Sequence, residues 1–353
     1  MVRSTLSETS GVDGGLEELQ PGLKILADGG KPKQQDLLRE LVEGVIKTAE
    51  FEYIAEGRAN AVFKVNSAPG IDHLAGWLLR VPKQVEGATP HSYEELQKYR
   101  ETVVEPRVGT KHLVPQLMVS VPAEGTRAMN EQRELRSRRK EPSSSIAAGF
   151  AMLIQDMNPR AGHGDLGLEF KPKWLAQSPI APGDAVRCRT CAREAWRNHE
   201  KQAEGKSTKT PVCPIGLVDP DPAHVLYTVE LLAPDWSPSE QHRLRDAFSG
   251  SGIFQKLRDL QVRGDPGDTM FTNPQSEGFG LAMTLRDCTC FVRMSRTGEG
   301  EVEIKLADVD RKNWESKAEY WQHSHTNLVD NGYYHGTESP RMATKCVLER
   351  TAA

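Results

Sequence analysis

The chain has 353 residues and a mass of 39.2 kDa, with 37% apolar and 27% charged residues and 6% aromatics. This fits one large domain or two ordinary ones and excludes a collagen or a wholly disordered chain. Forty-five Lys and Arg against 49 Asp and Glu leave a net charge of −4, which disfavours general nucleic-acid binding and leaves any anionic ligand to a local basic cluster. No apolar run approaches the roughly 18 residues of a membrane span, and the start MVRSTLSETSGVDGG lacks a leader's apolar core, so neither is expected. The six cysteines then read as reduced thiols in cytosol or nucleus.

Residues 1–33, rich in Gly, Ser, Asp and Lys, read mostly as a flexible lead-in. From 35 to 50, Leu37, Leu38, Leu41, Val42, Val45 and Ile46 recur at helical spacing and predict an amphipathic helix. Phe51 to Val65 predicts two strands around a turn at Gly57–Asn60. Trp77–Pro82 predicts a third strand, Tyr93–Glu105 a helix, and Leu113–Val121 a strand broken by Pro115. Residues 122–145 form a polar gap, read as a surface loop or disordered insert, whose run LRSRRK is either a solvated loop or an import signal.

Ala147–Asp156 predicts a buried strand and Leu166–Trp174 an alternating one. Helices are expected at 184–204 and 238–262, and strands at 279–284 and 288–296 around an acidic turn. A strand over Val302–Asp310 and a helix over 312–326 follow, with no internal repeat. The β-rich start and mixed remainder predict an α+β, two-lobed chain with a ligand cleft: an N-lobe at 34–153, a C-lobe at 154–332 and a tail at 333–353.

Five segments carry candidate chemistry. The turn Glu56-Gly57-Arg58-Ala59-Asn60 can aim backbone N–H groups at a phosphate, or be an ordinary hairpin. Arg80 and Lys83 end an apolar strand, where a charge can face a cleft or simply lie on the surface. In Glu169-Phe170-Lys171-Pro172-Lys173-Trp174, alternation puts Glu169, Lys171 and Lys173 on one strand face, either a charged ligand-facing cluster or a solvated strand face. Asp287, in Leu285-Arg286-Asp287-Cys288, can accept a substrate proton or cap a turn. Asp308 and Asp310, at a strand end, are hard-oxygen donors suited to Mg²⁺ with nucleotide phosphates, or the ordinary Asp of a strand terminus. Lys312, Lys317 and Tyr320 follow, with Lys312 expected to start a helix. Cys188-x₂-Cys191, with His199 and Cys213 beyond, has half of a zinc signature but lacks a matching second pair; buried reduced thiols are the other reading.

In this order the segments resemble the inositol-pentakisphosphate 2-kinase family, in a fungal form. GRANAVFKV resembles its nucleotide-covering turn, LLRVPK its L-R-x-x-K strand, and EPRVG with VPQ an E-P-x-x-G segment. LEFKPKW resembles E-I-K-P-K-W, RTCA an R-x-C-M segment, and CPIGLVDPD a C-P-L-D-L-F-S-G block. MTLRDCTCFV resembles M-T-x-K-D-C-S, and LADVDRK resembles D-L-D-x-K. The resemblance implies a distorted protein-kinase-like, inositol polyphosphate kinase fold with an ATP cleft between lobes. It also implies transfer of the ATP γ-phosphoryl group to the 2-hydroxyl of inositol 1,3,4,5,6-pentakisphosphate, giving the hexakisphosphate.

It assigns Gly57, Arg58, Ala59, Asn60, Val62 and Arg80 to the nucleotide, Asp156–Asn158 to an adenine hinge and Glu169 to the ribose. Asp287 would orient or deprotonate the hydroxyl, Lys171 would meet the transferred phosphoryl group, and Asp308, with Asp310, would hold Mg²⁺. Lys173, Arg189, Arg245, Lys312, Lys317 and Tyr320 would cradle substrate phosphates, with one of Arg133, Arg136, Arg138 or Arg139 as a clamp. The implied protein is a monomer of nucleus or cytoplasm, with no nucleic-acid or membrane partner. Departures are Gly216 for an Asp, His242 and Arg243 for an Asn pair, and Arg286 for Lys. Another phosphate-binding Lys is sought at Lys206 or Lys209. No Cys or His lies at 263–283, so the zinc of plant members is not expected there. The alternatives are a kinase of this fold acting on another inositol phosphate or lipid head group, and a non-catalytic nuclear scaffold.

Overall fold

The computed structural model describes residues 19–27, 32–57, 59–66, 73–85, 92–136, 144–146, 149–160, 162–298 and 300–351. They form two compact units, one drawn from 1–97 and 114–157, the other from 98–113 and 158–353. Both are mixed α and β with antiparallel strand ladders, the α+β class the chain order predicts. Among the described residues no helix is long and apolar enough to cross a membrane.

In the first unit, helices α1 (Leu19–Ala27) and α2 (Pro32–Thr48) precede strands β1 (Glu50–Glu56), β2 (Asn60–Asn66) and β3 (Trp77–Val85). Helix α3 (Tyr93–Tyr99), β4 (Gln116–Val121), α4 (Ala123–Arg136), β5 (Ser144–Ile146) and β6 (Gly149–Gln155) follow. The sheet runs β1-β2-β3-β6-β4, with β5 on β3. Its core joins Phe63, Leu79, Val119 and Leu153 to Val42 and Ile46 of α2. Leu37, counted in the α2 stripe, faces solvent at 53% exposure.

Two findings depart from expectation. Residues 19–27, inside the stretch read as a flexible lead-in, are helical. Leu19, Leu23 and Leu26 fall on one face and are buried, a stripe that Pro21 and Gly22 obscure in the sequence. The polar gap 122–145, read as a loop, contains α4. That helix has few apolar residues, but it buries Met129 and Arg133.

In the second unit, residues 100–104 continue α3 as a π-helical turn into Glu105–Val108. Then come β7 (Asp165–Phe170), α5 (Arg189–Ala203), α6 (Pro222–Leu232), α7 (Pro238–Ser251), α8 (Ile253–Gly264) and α9 (Glu277–Leu285). Strands β8 (Thr289–Ser295) and β9 (Glu303–Ala307) and helices α10 (Ala318–Asp330) and α11 (Val347–Thr351) complete it. The sheet order is β7-β8-β9. The expected helix 238–262 is two helices, broken at Gly252, whose φ of +63° needs glycine; a Ser237–Glu240 capping box starts the first.

The strand expected at 279–284 is instead α9, capped by Ser276. It is buried on several sides, so its continuous apolar run carries no helical period. Helices α8 and α9 meet so closely that a Cβ on Gly264 would lie 2.2 Å from the carbonyl oxygen of Gly278. Residues 333–347 lie against this unit, burying Tyr334, Met342 and Cys346.

Candidate active site

The three-stranded sheet gathers the candidate residues at one end. Phe170 of β7 pairs with Cys290 of β8, and Cys290 with Leu306 of β9. The chain just beyond this row supplies Lys171, Asp287 and Asp308. Strand β7 stops at Phe170, so Lys171 and Lys173 do not continue one strand face as alternation predicts. Pro172 follows Lys171, and Lys173 takes φ +54°, the left-handed region.

This turn aims both lysines at Asp287. Lys171 Nζ donates to the Asp287 carbonyl at 2.9 Å and lies 3.3 Å from Oδ1. Lys173 Nζ donates to Oδ1 at 3.1 Å, and Lys312 Nζ to Oδ2 at 3.0 Å. Partial burial pushes the Asp287 carboxyl up, but Lys312, Lys173 and Lys171 outweigh it and hold it well below the usual carboxylate range. Asp287 also follows the C-terminal end of α9, where helix carbonyls disfavour an anion, so the lysines are what make a carboxylate tolerable there. Burial lowers the Lys173 ammonium pKa, an effect Asp287 opposes.

Gln261 of α8 fixes this turn. Its side-chain oxygen accepts from Leu175 N–H at 2.9 Å, and its amide donates to the Lys173 carbonyl at 2.9 Å. Beside it, Arg286 is buried on Asp265 at 2.7 Å, with its guanidinium 3.5 Å from the Trp174 ring centroid. Burial lowers its pKa to about 10, still fully charged at neutral pH.

Asp287 opens onto a cavity of about 380 Å³, within the range of small-ligand sites. Lys173, Arg189, Arg193, Arg197, Arg286, Lys312 and Lys317 line it, against the carboxylates Asp287 and Glu194. Tyr320 completes a wall; its hydroxyl contacts the Arg193 guanidinium, and Lys317 Nζ is 5.9 Å from its ring centroid. Arg189 is oriented by Nδ1 of His325 at 3.3 Å. Burial, reinforced by Arg189, pushes His325 down to about 4, so it is a neutral acceptor.

Of the residues assigned to substrate, Lys173, Arg189, Lys312, Lys317 and Tyr320 line this cavity. Arg245 does not; it lies on α7 and chelates its neighbour Asp246 at 2.6 and 2.9 Å. Lys206 pairs with Glu204, and neither it nor Lys209 lines the cavity. Arg193 and Arg197 do line it and were not singled out. They repeat from Arg189 at four-residue spacing, which places all three on one face of α5.

Asp308 stands just past β9 at φ +54°, its Oδ2 receiving a hydrogen bond from Thr289 at 2.8 Å. The Asp310 carbonyl accepts from Thr284 at 3.0 Å. Both lie beyond the strand rather than in it, and Lys312 does not start a helix; α10 begins at Ala318. Glu169 is exposed on β7. The Asn158 carbonyl accepts from Arg293 at 3.4 Å.

In the first unit, Gly57 N–H donates to the Asn60 carbonyl at 2.8 Å, closing the β1–β2 turn next to Ala59. Val62 pairs across the ladder with Arg80. Asn60 accepts from the Arg80 guanidinium at 2.8 Å and donates to Tyr93 at 2.6 Å. Asp156 N–H donates to Gly76 at 2.8 Å. Arg58, Arg138 and Arg139 lie outside the described residues. Arg133 is buried on Glu56 at 2.6 Å, where Lys83 joins at 3.3 Å, and Arg136 lies 3.5 Å from Glu52.

The sequence profile of the family described as inositol-pentakisphosphate 2-kinase matches residues 53–276 and 251–327. Curated proteins named inositol-pentakisphosphate 2-kinase are similar to the chain. The one from Yarrowia lipolytica is 34% identical over 186 residues, 51% of this chain and 56% of that protein. The one from Candida glabrata is 29% identical over 169 residues, 46% of this chain and 54% of that protein. The one from Saccharomyces cerevisiae is 28% identical over 172 residues, also 46% and 54%. The matched stretch thus spans about half the length of these relatives. The profile match runs from within β1 through the Lys171–Asp287 cluster and the basic cavity into α10, and on it the chain belongs to the inositol-pentakisphosphate 2-kinase family.

Proposed function

We propose that the chain transfers the γ-phosphoryl group of ATP to the 2-hydroxyl of inositol 1,3,4,5,6-pentakisphosphate, giving inositol hexakisphosphate, on a kinase-like fold. The observation that carries this reading is one carboxylate, Asp287, ringed by Lys171, Lys173 and Lys312 at the mouth of a cavity lined by Arg and Lys. The acceptor has five phosphates at about −1.5 to −2 charges each, roughly −8 to −10 in all. Seven basic side chains against two carboxylates suit such a ligand, with Arg supplying paired donors and Lys mobile point charges.

Asp287 stays ionised, so it accepts a hydrogen bond from the attacking hydroxyl and orients it. Its low basicity places proton transfer late, as a loose phosphoryl-transfer transition state allows. Lys171, exposed beside it, offers its charge to the group in transfer. Mg²⁺ fits Asp308, a hard-oxygen donor at a strand end whose carboxylate Thr289 orients. When bound, it would neutralise nucleotide phosphate charge.

The test is incubation of purified protein with ATP, Mg²⁺ and inositol 1,3,4,5,6-pentakisphosphate, with Asp287→Asn as control. Hexakisphosphate from wild type and none from the variant is the expected result. No product from wild type that still binds the acceptor would overturn the reading.

A further inference from the structure

We propose that Trp174 is a positioning residue for the phosphorylated acceptor: its ring holds the Arg189 guanidinium in the basic cavity without neutralising its charge, and ties it to the turn that carries Asp287. This role rests on the reading of that cavity as the acceptor site.

Arg189 is an unusual cation. It is 4% exposed, and it is the first residue of α5, where the helix dipole disfavours positive charge. A charge so buried is ordinarily paired with an opposite one. Among the described residues, however, no carboxylate forms an ion pair with Arg189. What holds it is neutral. Nδ1 of His325 lies 3.3 Å from Nη1, and the Trp174 ring centroid lies 4.8 Å from the guanidinium carbon. An aromatic face attracts a cation through its quadrupole and leaves the net charge in place. A carboxylate there would cancel the charge that an anionic ligand has to meet.

The same ring serves a second cation. The Arg286 guanidinium carbon lies 3.5 Å from its centroid, and Asp265 neutralises that group at 2.7 Å. Arg189 and Arg286 repel one another, and only Arg286 has its own carboxylate. Arg286 directly precedes Asp287, and Trp174 directly follows Lys173, so the chain joins the ring to both partners of the Lys173–Asp287 contact. Trp174 is itself buried with Met270, Phe279 and Met283, which fixes its place. One indole thus links the Asp287 turn to the α5 wall of the cavity. Packing alone would need only an apolar side chain here; holding two guanidiniums needs an aromatic face.

The test is a double-mutant cycle on inositol hexakisphosphate binding by the full chain, read by calorimetry, with Trp174→Leu, Arg189→Ala and the pair. Trp174→Leu should raise the dissociation constant roughly tenfold, and Trp174→Phe, which keeps an aromatic face, roughly two- to threefold. In the Arg189→Ala background, Trp174→Leu should change it less than about twofold, because its effect runs through Arg189. In the transfer assay, Trp174→Leu should raise the acceptor KM roughly tenfold and leave the ATP KM within about twofold. Should Trp174→Leu fail to fold, the cycle is run with Trp174→Phe, whose smaller loss must likewise vanish without Arg189. Additive effects of the Trp174 and Arg189 substitutions, equal losses in the Leu and Phe variants, or full affinity in Trp174→Leu would each overturn the role while leaving the acceptor reading intact. Wild-type protein that binds no inositol polyphosphate would refute the acceptor reading, and this role with it.

Discussion

Lys173 reaches Oδ1 of Asp287 at 3.1 Å from a backbone held at φ +54°. A lysine in that region costs roughly 1 kcal/mol, which the surroundings must offset. Gln261 supplies that support from α8, bonded to the Lys173 carbonyl and the Leu175 N–H. Gln261→Leu keeps most of the volume but strands both backbone groups in the interior. At about 1–3 kcal/mol for each of the two unsatisfied groups, stability should fall by roughly 2–6 kcal/mol. Urea unfolding measures this. A loss below about 0.5 kcal/mol would show that the turn holds itself.

Asp287→Asn separates binding from transfer. The substitution removes one negative charge from a ring of three lysines and keeps the shape. Inositol hexakisphosphate should bind as tightly or up to about tenfold more tightly, with a steeper salt dependence. Turnover should fall by roughly 10²- to 10⁴-fold. Calorimetry at two salt concentrations, beside a transfer assay, checks both. Parallel loss of affinity and turnover would make Asp287 a structural counter-ion.

What could be read from the chain depended on how each residue signals itself. The α2 stripe and the β1–β2 turn are local patterns, and the structure holds them almost where spacing puts them. Lys173, Lys312, Lys317 and Tyr320 stand out as charged or polar groups at or just beyond strand ends, the family resemblance adds Arg189 and the substrate role, and all five meet in one cavity. Helix α4 was missed because its buried face is made by Met129 and by an arginine whose partner, Glu56, is 77 residues away. Helix α9 was missed because full burial erases helical periodicity. Gln261 carries no signal, since its role is to satisfy backbone groups of another segment. Arg193 and Arg197 did carry one, the four-residue repeat from Arg189.

That repeat gives a prediction. Arg193→Ala and Arg197→Ala should each weaken inositol polyphosphate binding, because each removes a charged donor from the α5 wall. A charge-assisted hydrogen bond contributes about 1.5–3 kcal/mol, so the dissociation constant should rise roughly 10- to 100-fold. Arg245→Ala, outside the cavity, should change it less than about twofold. Calorimetric titration with inositol hexakisphosphate compares the three. Equal effects at Arg193 and Arg245 would contradict the placement of the site.

In the first unit, Glu56 binds Arg133 at 2.6 Å and Lys83 at 3.3 Å, with all three side chains nearly inaccessible. Glu56→Gln leaves two buried cations facing a neutral amide. Breaking a buried ion pair from one side costs about 3–5 kcal/mol. Arg136→Ala breaks only the exposed contact to Glu52 and should cost less than about 1 kcal/mol. Thermal unfolding of the two variants tests the contrast. A small loss in Glu56→Gln would mean that water reaches the cluster.

His325 makes the stability of the second unit depend on pH. It is buried against Arg189, with Phe271 and Tyr334 edge-on to its ring, and Asp330 only partly offsets the effect of Arg189. Its folded value of about 4 lies below its ordinary 6.5, so between these values the unfolded chain binds more protons than the folded one. The stabilising effect of a neutral His325 is therefore complete above pH 6.5 and is lost as pH falls toward 4. At about 1.4 kcal/mol per pH unit, the loss is at most roughly 3 kcal/mol. His325→Gln keeps an acceptor for Arg189 but cannot be protonated in this range. Denaturant unfolding from pH 7 to 4 should show wild type losing more stability than the variant, with the gap widening below pH 6.5. Identical pH profiles would show that His325 accepts its proton without disturbing Arg189.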